Sequence, residues 1–127
     1  MRKIITLFLL SFLVFLQFNY AETNILDSNE WDFGKVKQGE ILKHGFIFKN
    51  ESKDVLNITG LNSSCGCTAS QADKKSLKPS ETTTINVSFN PHGYSGQVKQ
   101  FVYVNTDNAE AAVVKFTIKA EVVKEGN

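Results

Sequence analysis

Histidine, cysteine and methionine are scarce in this sequence, and their scarcity limits the kinds of site that the chain can build. It contains two histidines, His44 and His92, two cysteines, and a single methionine at position 1. Two histidines in such positions give no Ser/His/Asp arrangement for nucleophilic catalysis. A copper site made of methionine thioethers is also excluded, because no methionine follows Met1. We therefore predict that the protein has no catalytic residues and is not an enzyme.

The two histidines have simpler interpretations than metal binding. His44 lies in a predicted strand, which favours a partly buried or surface side chain. His92 lies in NPHGYSG at 90–96, where Gly93 and Gly96 indicate turn geometry rather than a phosphate-binding loop. Neither histidine lies near the cysteines in sequence.

A large excess of charge of one sign is also missing. The formal net charge is +1, and Arg2 and Lys3 account for much of the positive excess. No basic stripe interleaved with aromatic residues is present, which argues against nucleic-acid binding. The spaced lysines of the remaining chain are typical of solvated positions on strands and turns.

The N-terminus holds a long apolar run. Arg2 and Lys3 precede the uncharged residues 4–16, a run shorter than the roughly 20 residues that a membrane span needs. This arrangement is typical of a secretory signal peptide, and Ala21 offers a cleavage point. We predict a signal peptide over residues 1–21 and export to the periplasm or cell envelope.

Cleavage after Ala21 leaves residues 22–127, which are enough for one domain and too few for two independent cores. If Phe18 and Tyr20 are counted with the apolar run, the segment is long enough to stay uncleaved as an anchor. Contact with a membrane is expected only through this segment. The expected partner is another protein of the envelope.

The remaining chain alternates apolar and polar residues in short runs separated by turn-forming residues. In TTTINVSFNP at 82–91, Ile85, Val87 and Phe89 are predicted to point inward, and Pro91 ends the strand. About seven such runs predict an immunoglobulin-like antiparallel β-sandwich, with a small barrel as the competing architecture. The predicted core contains Phe46 or Phe48, Ile58, Ile85, Val87, Phe89, Phe116 and Ile118.

The two cysteines, Cys65 and Cys67, are separated only by Gly66 in NSSCGCTAS at 62–70. Two residues of extended chain span about 6.6 Å, and a disulfide needs Cα atoms about 4.4 to 6.8 Å apart, so the pair can bridge. A three-residue loop gains only roughly 1.6 kcal/mol from such a bridge. We therefore predict that the pair has a local role and does not hold the sheets together. The hydroxyls of Ser64 and Thr68 are expected to order the turn.

Three uses of the pair stay open. It is an inert element of a turn, a soft-metal site, or a redox-active dithiol that exchanges disulfides. Cu(I) is the candidate metal, since two thiolates suffice for it, whereas zinc would need further ligands from distant loops. No cofactor is required by the sequence.

Several stretches occur together in the order and spacing of a known family. They are DFG at 32–34, GE at 39–40, FIFKN at 46–50, SSCGCT at 63–68, LKPSE at 77–81, INVSFNP at 85–91 and VNTDN at 104–108. In this order the chain resembles the exported bacterial domain of unknown function family fifteen-seventy-three, and Cys-Gly-Cys-Thr at 65–68 is the most specific element. Relatives commonly carry glycine where this chain has Ser80.

The resemblance covers nearly all of residues 22–127 and implies an exported Ig-like module. The family resembles the Ig-like domains of ciliary and centrosomal proteins and, more distantly, pilus chaperones and major sperm protein. The resemblance implies no particular activity.

Two hypotheses follow, of which the first is an envelope binding or structural module that contacts another protein through strand edges or loops. The alternative is a small thiol protein that uses Cys65 and Cys67 for Cu(I) binding or disulfide exchange.

Overall fold

The computed structural model describes residues 29–124, so the predicted signal peptide lies outside the described residues. Within that range no helix is long and apolar enough to span a membrane. The described chain forms eight strands and one short 3-10 helix. They are β1 (Glu30–Lys37), β2 (Leu42–Lys49), β3 (Leu56–Ser63), β4 (Thr68–Ala72), β5 (Ser76–Leu77), β6 (Thr82–Phe89), β7 (Gly96–Thr106), the 3-10 helix Ala109–Ala111 and β8 (Val113–Val123).

The strands form two sheets, which confirms the predicted immunoglobulin-like sandwich. One sheet has the strand order β1-β8-β7-β3-β5, and the other has the order β2-β6-β4. Every pair is antiparallel except β1 and β8, which run parallel. Alternation in the sequence reports which face a residue occupies but not which strand lies alongside, so it did not predict the parallel pair.

The core lies between the two sheets and is almost entirely apolar. The rings of Phe46 on β2 and Phe116 on β8 meet across the sandwich with centroids 4.8 Å apart. Burying one such side chain contributes up to about 3 kcal/mol, so the packed phenylalanines are a main source of stability. The predicted core positions are all buried, including both Phe46 and Phe48: Phe46, Phe48, Ile58, Ile85, Val87, Phe89, Phe116 and Ile118.

Asn50, which follows β2, is a buried polar residue in this otherwise apolar region. Its side-chain amide donates to the carbonyls of Asp54 (2.8 Å) and Leu77 (3.0 Å). Its side-chain oxygen accepts from the backbone N–H (3.0 Å) and the hydroxyl (2.7 Å) of Ser52. Asn50 is 0% exposed, and these four bonds satisfy every polar atom of its side chain. The residue therefore fixes the β2–β3 loop against β5.

The turn from Lys78 to Glu81 has the geometry of a turn that normally contains glycine, although Ser80 occupies the glycine position. The Glu81 N–H donates to the Lys78 carbonyl at 3.0 Å, and Ser80 has φ of 67°. Proline at the second position and a positive φ at the third are the features of a type II turn, which normally places glycine there. The serine therefore accepts a backbone conformation that costs an L-residue roughly 1 to 2 kcal/mol.

We expect Ser80→Gly to raise the free energy of unfolding by about 0.5 to 1 kcal/mol, because glycine removes the backbone strain. The gain is smaller than the full strain energy, since glycine also increases the entropy of the unfolded chain. Urea denaturation measures the change. The matched control is Ser88→Gly within β6, where glycine should instead cost about 0.5 to 1 kcal/mol. Equal losses for both variants would show that Ser80 is unstrained.

Candidate functional site

The Cys-Gly-Cys segment forms a tight turn that carries the chain from one sheet to the other. It joins β3 of the five-stranded sheet to β4 of the three-stranded sheet. The turn is closed by a bond of 3.3 Å from the Thr68 N–H to the Cys65 carbonyl. Gly66 is exposed, and a Cβ at this position would meet no atom within 4 Å. The turn is therefore accessible from solvent at its tip.

Cys65 and Cys67 are joined by a disulfide, and their Cα atoms lie 5.3 Å apart. Both residues are partly exposed. The bridge closes a loop within a single turn and connects no two strands of a sheet. Its contribution to the rigidity of the sandwich is therefore small in the loop-closure account.

Hydroxyl groups surround the two sulfur atoms. The Tyr94 Oη lies 3.2 Å from the Cys67 Sγ, and the Thr68 Oγ1 lies 3.5 Å from the Cys65 Sγ and 3.8 Å from the Cys67 Sγ. Sulfur in a disulfide carries no proton, so in each contact the hydroxyl is the donor. The site is thus a disulfide that accepts hydrogen bonds from neighbouring side chains.

Tyr94 is held in place by the loops at this end of the sandwich. Its ring packs edge-on against Phe89, with centroids 5.6 Å apart. Its carbonyl accepts from the Gln38 Nε2 at 2.6 Å, and the neighbouring Asn90 N–H donates to the Cys67 carbonyl at 2.9 Å. The β1–β2, β3–β4 and β6–β7 loops therefore meet around the disulfide and fix the tyrosine hydroxyl beside one sulfur.

The two sulfurs have different surroundings. Cys67 packs against the hydrophobic core together with Tyr94, whereas Cys65 is not part of that packing. On the Cys65 side, the Ser64 hydroxyl donates to the Gln100 Oε1 at 2.5 Å and accepts from the Phe101 N–H at 3.0 Å. Thr68, by contrast, contacts both sulfurs. Ser64 therefore anchors the turn to β7, while Thr68 orders the turn itself.

Neither histidine joins the cysteines in a metal-binding group. Within residues 29–124 no group of three or more His, Cys, Asp or Glu residues is placed to hold a metal ion. His92 is exposed in the β6–β7 loop, where its N–H donates to the Asn90 Oδ1 at 3.1 Å. Within residues 29–124, the Cys65–Cys67 turn therefore has no third His, Cys, Asp or Glu side chain placed to complete a metal site.

His44 belongs to an aromatic cluster between the edges of the two sheets. Its ring stacks on Trp31 of β1 with centroids 4.2 Å apart and meets Phe46 edge-on at 4.6 Å. Burial lowers the pKa of His44 below its ordinary value of 6.5. The imidazole is therefore mainly neutral at pH 7 and packs as an aromatic ring, which agrees with its interpretation as a partly buried residue.

The edge of β2 is the longest regular strand edge among the described residues. The strand pairs with β6 over eight residues in unbroken register and has no other partner within residues 29–124. The other edge strands are shorter or irregular. β5 has two residues, β4 has five, and β1 shifts register between Asp32 and Lys35, where Gly34 has φ of 73°.

The backbone groups that face this free edge can be identified from the ladder. The Asn50 N–H donates to the Glu81 carbonyl at 2.9 Å, in register with the β2–β6 pair. Alternate residues of an antiparallel strand bond to the same neighbour, so the even-numbered residues of β2 bond to β6. The N–H and C=O groups that point toward the free edge therefore belong to the exposed positions Lys43, Gly45, Ile47 and Lys49. The Ile47 side chain is 60% exposed.

Sequence reasoning named Cys65, Gly66, Cys67 and Thr68 but missed two parts of this arrangement. Tyr94 lies 27 residues from Cys67, and no local pattern in its loop links it to the cysteines. The stack of Trp31 on His44 joins strands of different sheets, and the alternation of apolar and polar residues does not predict it either. A signal for Tyr94 exists only in the composition of NPHGYSG, in which it is the one large aromatic residue of an otherwise turn-forming loop.

Comparison with known proteins identifies relatives by sequence family and by fold. The model of a family described as "Protein of unknown function (DUF1573)" matches residues 25–122. No curated protein matches the sequence. Among solved structures, a protein of unknown function from Porphyromonas gingivalis W83 is similar with a TM-score of 0.65 and 17% identity, over 73% of this chain and 44% of that chain.

Two further structures share the fold. The PapD-like domain 7 of human CEP192 aligns with a TM-score of 0.58 and 12% identity, over 77% of this chain and 83% of that domain. The VesB protease of Vibrio cholerae aligns with a TM-score of 0.58 and 15% identity, over 74% of this chain and 30% of that protein. The chain thus spans less than half of the bacterial structures that it matches. At these identities the likeness concerns the fold alone.

Proposed function

We propose that this chain, which belongs to the family of proteins of unknown function (DUF1573), is an exported, non-enzymatic Ig-like module of the bacterial cell envelope. In this role it binds an extended segment of another envelope protein along the edge of β2. The observation that carries the proposal is the long, regular and exposed edge of that strand. Export is supported by the signal-peptide pattern of residues 1–21, which would give a mature chain that begins at Glu22.

The β2 edge suits the addition of a strand for three reasons. Its outward N–H and C=O groups supply the main-chain hydrogen bonds of a new pair. Ile47 presents an apolar side chain beside those groups, between the cationic side chains of Lys43 and Lys49. Proline, bulges and very short strands, which commonly protect sheet edges, are absent from β2. The partner segment is therefore expected to be extended, with an apolar residue flanked by acidic ones.

We expect Ile47→Pro to reduce recovery of the envelope partner at least tenfold while it leaves the domain folded. Proline removes the N–H that faces the free edge, but it breaks no bond to β6, so the free energy of unfolding should fall by less than about 1 kcal/mol. The measurement is quantitative co-purification from envelope extracts, paired with urea denaturation of the purified variant.

The matched control is Ile47→Val, which keeps both the N–H and an exposed branched side chain and should retain the partner. Equal recovery with the proline variant would contradict strand addition at β2. A destabilisation above about 2 kcal/mol by proline would show that the β2 edge is already paired within the chain, and it would also contradict the proposal.

The partly exposed disulfide favours a second candidate function. It closes a loop too short to give the fold much stability, and exposed or strained disulfides are the exchangeable ones. In this role Cys65 and Cys67 would pass between disulfide and dithiol by exchange with another thiol protein. The reduced pair would also present two thiolates suited to Cu(I).

A further inference from the structure

Beyond the binding role, we propose that exchange at this disulfide has a fixed direction: an external dithiol attacks the Cys65 Sγ, and Cys67 leaves as a thiolate that the Tyr94 hydroxyl stabilises. The inference rests on the second candidate function and assigns different roles to the two sulfurs. The external reactant is a protein dithiol or a small dithiol.

Access favours attack at Cys65. Thiol–disulfide exchange proceeds in line, so the incoming sulfur approaches the attacked sulfur from the side opposite the leaving sulfur. Cys67 packs against the apolar core and has the Tyr94 hydroxyl 3.2 Å from its Sγ, so neighbouring groups crowd that sulfur. Both cysteines are partly exposed, but Cys65 lies outside the core packing and is followed by the exposed Gly66, where a Cβ would meet no atom within 4 Å.

The hydrogen bonds favour departure of Cys67. The Tyr94 O–H donates to the Cys67 Sγ at 3.2 Å, whereas the hydroxyl nearest to the Cys65 Sγ is that of Thr68 at 3.5 Å. A donor fixed beside a sulfur stabilises its thiolate and lowers the pKa of the thiol. A leaving thiol of lower pKa leaves faster. Because Phe89 and Gln38 hold Tyr94 in place, the donor is in position before the bond breaks.

The exchange balances as two displacements. A thiolate of the dithiol bonds to the Cys65 Sγ, the Cys65–Cys67 bond breaks, and its electron pair goes to the Cys67 Sγ. The second thiolate of the dithiol then attacks the dithiol's own sulfur in the mixed disulfide and releases the Cys65 thiolate. The dithiol is oxidised to a disulfide, the Cys65–Cys67 pair gains two electrons, and the two protons lost by the dithiol return to the new thiolates through solvent.

The first test measures the rate at which dithiothreitol reduces the folded, oxidised protein. Tyr94→Phe keeps the ring that packs on Phe89 and removes only the donor, so reduction should slow about three- to tenfold. The control, Tyr103→Phe on β7, changes a tyrosine that does not contact the disulfide and should reduce at the wild-type rate. An unchanged rate in Tyr94→Phe would overturn the role of Tyr94.

The second test identifies the attacked sulfur. In the reaction with the monothiol glutathione, acid quenching at short times traps the mixed disulfide before the freed cysteine or a second glutathione attacks it. Because Cys65 and Cys67 lie on one peptide, fragmentation of that peptide in the mass spectrometer locates the adduct. We expect glutathione on Cys65, and an adduct mainly on Cys67 would overturn the direction.

Alkylation rates as a function of pH should also give a lower thiol pKa for Cys67 in Cys65→Ser than for Cys65 in Cys67→Ser. A wild-type disulfide that resists dithiothreitol in the folded state would overturn both this inference and the second candidate function.

Discussion

Replacing Phe89 with alanine is expected to lower the free energy of unfolding by about 3 to 5 kcal/mol. The side chain is 1% exposed and lies in register between Leu42 of β2 and Thr68 of β4, so its removal leaves a cavity that the sheet cannot easily fill. Domains of this size are commonly stable by only about 5 to 15 kcal/mol, so the variant should be largely unfolded in moderate urea. Equilibrium urea denaturation followed by circular dichroism measures the loss.

Phe101→Ala is the matched control for this experiment. Phe101 is the same residue type, but it lies partly exposed on the outer face of β7, with the Lys115 Nζ 4.9 Å from its ring centroid. Its truncation should cost about 1 kcal/mol. A loss below about 1 kcal/mol for Phe89→Ala, or equal losses for the two variants, would mean that the assigned inner face of β6 is wrong.

Asn50→Ala should cost about 2 to 4 kcal/mol, although it removes only a small polar side chain. The change takes the donors away from the carbonyls of Asp54 and Leu77 and the acceptor away from Ser52. Leu77 is 0% exposed, so its carbonyl is left in a region that water does not reach. Urea denaturation again provides the measurement.

The control for Asn50 is Asn62→Ala on β3, an exposed position where the change should stay within about 0.5 kcal/mol. If Asn50→Ala also stays within that limit, the four bonds of Asn50 do not stabilise the β2–β3 loop, and the account of the residue fails.

Sequence periodicity predicted the inner face of the sandwich because burial is a property of each strand taken alone. Ile85, Val87 and Phe89 alternate with polar residues whatever strands lie beside them, and all three are buried. Pairing is different, since it depends on residues far apart in the chain. The parallel pair of β1 and β8 and the free edge of β2 therefore became apparent only in three dimensions.

Polar features were predicted less completely for the same reason. Residues 50–54 lie in the loop between β2 and β3, and their local pattern does not show that Asn50 is buried against β5. The spacing of Cys65 and Cys67 predicted that a bridge is geometrically feasible, because that question is local. The donor at Cys67 comes from Tyr94 in another loop, and only the packing of Tyr94 on Phe89 brings it there.

We predict that the apolar sandwich holds the fold and that the Cys65–Cys67 disulfide has only a local role. The most direct test compares the urea midpoints of the wild-type protein under oxidising and reducing conditions, with Cys65→Ser/Cys67→Ser as a reference that cannot form the bridge. We predict that reduction lowers the free energy of unfolding by no more than about 1 to 2 kcal/mol, because a three-residue loop constrains the unfolded chain very little. A drop of about 4 kcal/mol or more on reduction would contradict this prediction and show that the disulfide stabilises the fold as a whole.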